Sequence, residues 1–413
     1  MGSRRGACAL AACVFALALA PAVSAAPTEI GPRGTLLVGG QPSFPIALLR
    51  PPPLEGTTPW GKGALDEVVA AGVTVLGTGP HGVEWTDAHL EDAKAWNDAA
   101  AARGVHTWVN LRELSLAQPG TPQEERLLAV VHALRDSPGL GLWKGADEPW
   151  LGRRSPELLR HAYETTKALD PSHLSVVIQA ARGSAAELAP YSSVTDVHSV
   201  DVYPVKLRRV DPDLGAVGRW TRTLVGVTPS RSVLTTLQIC HSGSWDRASG
   251  SGAYVLPTAV QARYMAYEAI LNGARGLVYF GGQLPGCMAP ADVPYGWNWT
   301  HWRDVLRPLV RELGPRGRLH AALVSPGAGI AVRASDPGTR VTARRVGREV
   351  WVLAARRGRG TVDVRLRGLP RTVRSGWVYR EGRKIRVRRG VLTDSFGRWG
   401  VHVYRFVLPA AAR

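Results

Sequence analysis

The chain reads as an α/β protein, a (β/α)8 TIM barrel followed by a small all-β sandwich. Three observations carry that reading. Eight short apolar, β-rich runs recur over roughly 260 residues, most of them separated by segments of helical periodicity, the pattern of a closed parallel barrel. After Gly314-Pro315 strand-like runs follow one another with no helical spacing. Charge shifts at the same place: residues 26–315 hold 26 basic and 28 acidic residues, whereas residues 316–413 hold 23 and 5.

The elements follow in order. Arg4 and Arg5 precede an apolar stretch and then Val23-Ser24-Ala25, which predicts a signal peptide over 1–25 cleaved after Ala25, by Sec or twin-arginine export. The barrel domain is predicted over 26–315, with strands at 44–49, 73–77, 106–111, 141–146, 174–179, 197–203, 232–239 and 276–280. Leu90, Ala93, Trp96 and Ala100 form one helical face, with Thr86 as N-cap and Gly104 as stop. Leu127, Val130, Val131 and Leu134 repeat the spacing before Pro138. The connection between the fifth and sixth strands has room only for a stub of helix. The basic β-sandwich is predicted over 316–413, with strands at 330–333, 350–354, 361–365, 376–379 and 401–406.

Barrel enzymes hold their reactive groups at the C-terminal ends of the strands. Reading only those ends gives His81, then Asn110 and Arg112, then Asp147 and Glu148, Gln179, Asp201 and Tyr203, and Gln238. Trp143, Trp150, Trp245 and Trp297 flank them as aromatic platforms on which a sugar ring could stack. Together these ten non-carboxylate positions are the expected substrate contacts. Asp147, Glu148 and Asp201 are the expected catalytic groups, although Asp147 could instead pair with Arg112 and only shape the site. No His or Cys cluster has metal-ligand spacing, and neither metal nor cofactor is expected.

Ser43-Phe44-Pro45-Ile46, Ala71-Gly72-Val73 and Asp136-Ser137-Pro138, leading to Leu142-Trp143 and Asp147-Glu148-Pro149, resemble secreted glycoside hydrolases of the large retaining (β/α)8 clan. The resemblance covers residues 40–282. It implies a hydrolase acting on a polysaccharide or oligosaccharide, with Glu148 as general acid/base. Two positions diverge. Asp147 stands where the clan has asparagine, and Gln238 stands where the clan's nucleophilic glutamate closes the seventh strand. Glutamine can neither form a glycosyl ester nor carry negative charge.

Three mechanisms remain open at this level. Asp147 and Glu148 could act as an adjacent pair that uses the substrate's own 2-acetamido group. Asp201 could partner Glu148 as nucleophile or base. Alternatively the barrel is a non-catalytic carbohydrate-binding protein of the cell surface. Cys8 and Cys13 leave with the signal, so the remaining Cys240 and Cys287 are expected to form a disulfide in a secreted or cell-surface protein. The arginine-rich tail could adhere to an anionic cell-wall polymer. Export argues against nucleic acid, and the leading apolar run is too short for a membrane span.

Overall fold

A computed structural model describes residues 26–206, 211–229, 231–242, 254–325, 327 and 329–409. Three short antiparallel strands, β1 (Thr28–Ile30), β2 (Leu36–Val38) and β3 (Gln41–Ser43), precede the barrel. The barrel strands are β4 (Ile46–Leu48), β5 (Val75–Thr78), β6 (His106–Asn110), β7 (Leu140–Asp147), β8 (Leu174–Ala180), β9 (Val197–Val202) and β10 (Ser232–Gln238). A small ladder of β11 (His241–Ser242) with β12 (Tyr254–Val255) intervenes, and β13 (Leu277–Phe280) closes the ring between β10 and β4. All eight barrel pairings are parallel. Each of the eight expected strands is one of these, shifted at its ends by no more than two or three residues.

The helices form where the apolar spacing places them. Thr86 accepts from the His89 amide at 3.3 Å and starts the helix Asp87–Ala101, which buries Ala93, Trp96 and Ala100. Helix Pro122–Leu134 buries Leu127, Val130, Val131 and Leu134 against the barrel wall. Between β8 and β9 there is one helical turn, Ala185–Leu188, and a 3-10 segment, as the short connection requires.

The barrel is filled unevenly along its axis. Trp108, Leu142, Val176, Ile178, Leu234 and Val278 pack inside it with Leu36 and Ile30 of the N-terminal hairpin. Thr28 ties that hairpin to the strands' N-terminal ends. Its Oγ1 donates to the Gly141 carbonyl and accepts from the Leu174 amide, both at 2.9 Å. The apolar fill therefore sits at the floor, and polar side chains collect at the C-terminal mouth.

The tail folds as two facing antiparallel sheets. One has three strands, β14 (Arg333–Ala334), β17 (Val362–Arg367) and β20 (Val391–Phe396). The other is ordered β15 (Thr339–Val346), β16 (Glu349–Arg356), β21 (Val401–Val407), β18 (Ser375–Val378), β19 (Arg383–Arg386). Three of these eight strands, β15, β19 and β20, were not among the expected five. Their alternation sets arginine or aspartate on one face, which masks the apolar period. Helix His320–Val324 lies beyond residue 315 and packs with the barrel-side core.

β16 is buried on both faces, which explains its continuous Val350–Ala355 apolar run. Val352 and Ala354 face Phe396, Tyr404 and Phe406 inside the sandwich. Trp351, Leu353 and Ala355 join Met265, Ala266 and Ala269 of helix Ala259–Leu271 in the barrel's core. Glu312, 4% exposed, anchors this seam. It accepts from Arg263 Nη2 at 2.8 Å and from the Tyr267 hydroxyl at 2.5 Å, while Arg263 Nη1 donates to the Val401 carbonyl at 2.7 Å. Part of the tail's arginine surplus serves the same seam, since Arg340 pairs with Glu268, and Arg359 and Arg398 with Asp211.

Cys240 and Cys287 are disulfide-bonded, with Cα atoms 6.2 Å apart, and join the segments after β10 and β13. No described helix is long and apolar enough to cross a membrane.

Three outcomes follow. Glu312→Ala leaves the partly buried Arg263 guanidinium without its carboxylate and should lower stability by about 1.5–3 kcal/mol in chemical denaturation. Thiol titration of unreduced, denatured mature protein should find no free thiol. Cys240→Ser should lower the thermal midpoint while leaving the barrel's circular dichroism intact.

Candidate active site

The site is built on the end of β7. Leu142 lies inside the barrel, so alternation also sends Lys144 inward. Opposite β8 the register then slips: Lys144 pairs with Val176, but Asp147 pairs with Ile178. The extra residue in Gly145-Ala146 is a β-bulge. Residues three apart on a regular strand point to opposite faces; the bulge puts Lys144 and Asp147 on the same one. Lys144 Nζ lies 2.9 Å from Asp147 Oδ1, and the lysine side chain is only 2% exposed. Asp147 thus pairs with Lys144 and not with Arg112.

Glu148 follows at φ 44°, in the left-handed region, and its amide donates to the Ile178 carbonyl at 2.7 Å. Such a conformation costs about 1–3 kcal/mol outside glycine and gathers at functional sites. The turn brings Glu148 beside Asp147 instead of across the sheet from it. Glu148 is half-buried, and its carboxyl makes no hydrogen bond among the described residues. Asp201, on β9, completes the group. Its Oδ1 is buried without a partner among the described residues, while Thr236 and Tyr203 hydrogen-bond the side chain.

The three carboxyls are driven apart electrostatically. Burial disfavours the Asp147 anion, but the Lys144 ammonium and then Arg112 outweigh it and hold the group below the usual aspartate range. Glu148 moves the other way: burial first, then the Asp147 charge, push it above its ordinary value despite Arg182, Lys144 and Arg112. Asp201 is pushed well above the usual range by burial and by the charges of Asp147 and Glu148. His81 is pushed down to about 3 by burial and by Arg50, Lys144 and Arg112, against the attraction of Asp147. Its imidazole is neutral. Asn110 Nδ2 approaches His81 Nδ1 at 3.4 Å; with Nδ1 as the acceptor, the proton sits on Nε2.

The expected substrate contacts divide in two. His81, Arg112, Trp150 and Tyr203 are partly exposed at the mouth, with Tyr203 stacked on Phe280 at 5.9 Å. Five others are buried. Trp143 faces the helix layer, fully buried, and its indole donates to Asp170 at 2.7 Å. Trp297 is fully buried with Trp299 and Trp302, and its indole donates to the Arg50 carbonyl at 3.1 Å. Asn110 donates to the Pro80 carbonyl at 2.6 Å, and Gln179 accepts from the Trp150 amide at 3.3 Å. Gln238 closes β10 as expected, but both of its amide atoms bond the Val205 backbone at 2.9 Å. Asn110, Gln179, Gln238 and Trp297 hold loops at the mouth, whereas Trp143 bonds Asp170 ahead of β8. Trp245 lies outside the described residues.

The structure adds residues that the sequence reading passed over. Lys144 carried a signal, a lone lysine within an apolar strand, which has to find a carboxylate. Arg50 directly follows the first barrel strand. Arg182 acts on Glu148, and a cleft beside Asp147 is lined by Arg112, Glu113, Ser115, Ala146 and Arg154.

No family model matches the chain, and no curated protein sequence matches it. Solved structures do. One described as a glycoside hydrolase aligns at TM-score 0.63 and 15% identity, over 94% of this chain and 98% of that one. A glycoside hydrolase family 5 protein from Bacteroides vulgatus aligns at 0.57 and 13%, over 92% and 93%. An Anoxybacillus alpha-amylase aligns at 0.57 and 12%, over 89% and 99%. At these identities the likeness concerns architecture: the chain has the fold of these glycoside hydrolases along nearly its whole described length.

Proposed function

We propose that the protein hydrolyses a glycosidic bond of a polysaccharide or oligosaccharide, with Glu148 as proton donor. One observation carries the reading. At the C-terminal end of β7, a carboxyl held up by burial and by a neighbouring anion adjoins a carboxylate held ionised by a buried lysine. Neighbouring titratable groups pushed apart in this way mark an acid and its charged partner.

The partner in this reading is Asp147. Gln238 has no charge and is committed to the Val205 backbone. Burial and the Asp147 and Glu148 charges push Asp201 well above the usual range, which favours a hydrogen-bonding role over that of nucleophile or base. With no second ionised carboxylate assigned to the anomeric carbon among the described residues, this reading takes the substrate's own 2-acetamido oxygen as the attacking group. Glu148 gives its proton to the leaving oxygen, and the bond from that oxygen to the anomeric carbon breaks. The acetamido oxygen bonds to that carbon, and Asp147 faces the resulting positive charge. Water then opens the ring and gives its proton to Glu148, which restores the acid.

The Cys240–Cys287 disulfide and the predicted leader support export to the cell surface or beyond. The tail's arginine surplus supports adhesion to an anionic cell-wall polymer, which salt would weaken. The second functional reading, a carbohydrate-binding protein without catalysis, rests on Gln238 at the end of β10.

On chromogenic 2-acetamido-2-deoxyhexosides, Glu148→Gln should lower kcat by about 100- to 10,000-fold while saccharide binding persists. Binding with no turnover of any glycoside by the wild-type protein would instead favour the second reading. The pH profile gives a separate check. A general acid works while protonated, so the rate falls as pH rises through its pKa, and raising that pKa extends activity upward. Asp147→Asn removes the charge that helps keep Glu148 protonated. The alkaline limb of kcat/KM should therefore move to lower pH, together with a fall in kcat.

A further inference from the structure

The mouth of the barrel carries more positive charge than its acidic groups balance. Arg50 stands directly after β4, half-buried, with its carbonyl fixed by the Trp297 indole at 3.1 Å. Its guanidinium has no ion pair or hydrogen bond among the described residues. Arg112, at φ 36° after β6, has Glu113, at 3.4 Å, as its one ion-pair partner among the described residues, and Arg154 shares that same glutamate at 4.0 Å. Lys144 is taken by Asp147. The barrel segment as a whole is close to neutral, so this surplus is local and not an overflow of the tail's charge.

The groups also act on one another. Arg50, His81 and Arg112 follow three neighbouring strands, β4, β5 and β6, and the Asn110 amide beside Arg112 lies 3.4 Å from His81. Burial and then the Arg112 charge disfavour the Arg50 guanidinium. Both guanidiniums press on His81, which is left neutral. Two guanidiniums held near each other, one of them half-buried and unpaired, are stable neighbours once an anion lies between them. The planar guanidinium fork matches a carboxylate with two parallel hydrogen bonds. Neutral His81 adds a donor that needs no charge of its own.

We propose that Arg50 and Arg112 bind the carboxylate of a uronic acid residue, so that the saccharide taken by this barrel is an acidic one. This rests on the reading that the mouth binds saccharide. Combined with the acetamido-assisted chemistry, it specifies a polymer in which uronate and N-acetylhexosamine alternate.

The test uses full-length mature protein carrying Glu148→Gln, which binds without cleaving, and calorimetric titration at low and high salt. The probes are an oligogalacturonate, a tetrasaccharide of alternating glucuronate and N-acetylglucosamine, neutral chitotetraose, and a sulfated galacto-oligosaccharide. The uronate-containing probes should bind at least tenfold more tightly than chitotetraose, and less tightly as salt rises. Arg50→Gln should abolish that preference while chitotetraose binding is unchanged, and Arg112→Gln should also weaken the uronate-containing probes. Chitotetraose binding equal to the uronates, or a preference that survives both substitutions, would overturn the proposal. Tighter binding of the sulfated probe than of either uronate would overturn the carboxylate assignment. Oligogalacturonate carries no acetamido group, so its Arg50-dependent binding stands even if the hydrolysis reading fails. The basic tail is the same in every variant, so its non-specific attraction cancels from the comparison.

Discussion

The Lys144–Asp147 ion pair is the contact on which the rest of the site depends. It is possible only because β7 carries an extra residue at Gly145-Ala146, which turns an odd spacing into a shared face. A buried lysine without a carboxylate would be strongly destabilising, and a buried aspartate without the lysine would take up a proton. With the pair formed, Asp147 is a fixed negative charge in a partly desolvated mouth. Burial raises Glu148 beside it and Asp201 across from it, and that charge raises both further. One bulge thereby bears on the ionisation of three carboxyls.

The surrounding scaffold holds this arrangement still. The hairpin β1–β3 closes the floor with apolar side chains, and the site's carboxyls stand at the C-terminal mouth. Trp297 grips the backbone of Arg50, Gln179 grips Trp150, and Gln238 grips Val205, so the loops after β4, β7 and β9 are each tied by a buried side chain. The disulfide joins the segments after β10 and β13. The tail packs β16 into the barrel's outer core and couples it through Glu312 and Arg263, which makes the β domain part of the barrel's support.

How much of this was legible depended on whether the signal was periodic or spatial. The eight barrel strands and the helices Asp87–Ala101 and Pro122–Leu134 were visible, because apolar spacing is a local property of the chain. So was the Asp147-Glu148 pair, because a strand ending in two carboxylates is a local anomaly. Trp143 and Trp297 misled because a tryptophan near a strand end looks the same whether it faces ligand or core; only packing shows that both are fully buried. Arg50 went unread because its meaning comes from Arg112 and His81, which barrel closure brings to it from two other strands. Lys144 could have been found by asking which carboxylate a lysine inside an apolar strand must meet.

The central claim is that the Lys144–Asp147 pair splits the two adjacent carboxyls into an anion and an acid. Carbon-13 NMR titration of side-chain carboxyls measures this directly, with the Glu148 signal assigned by its loss in Glu148→Gln and the Asp147 signal by its loss in Asp147→Asn. The account predicts that Glu148 titrates above the ordinary glutamate value of about 4.3 and Asp147 below the ordinary aspartate value of about 3.9. A Glu148 midpoint at or below the ordinary value, or an Asp147 that takes up its proton first as pH falls, would contradict it.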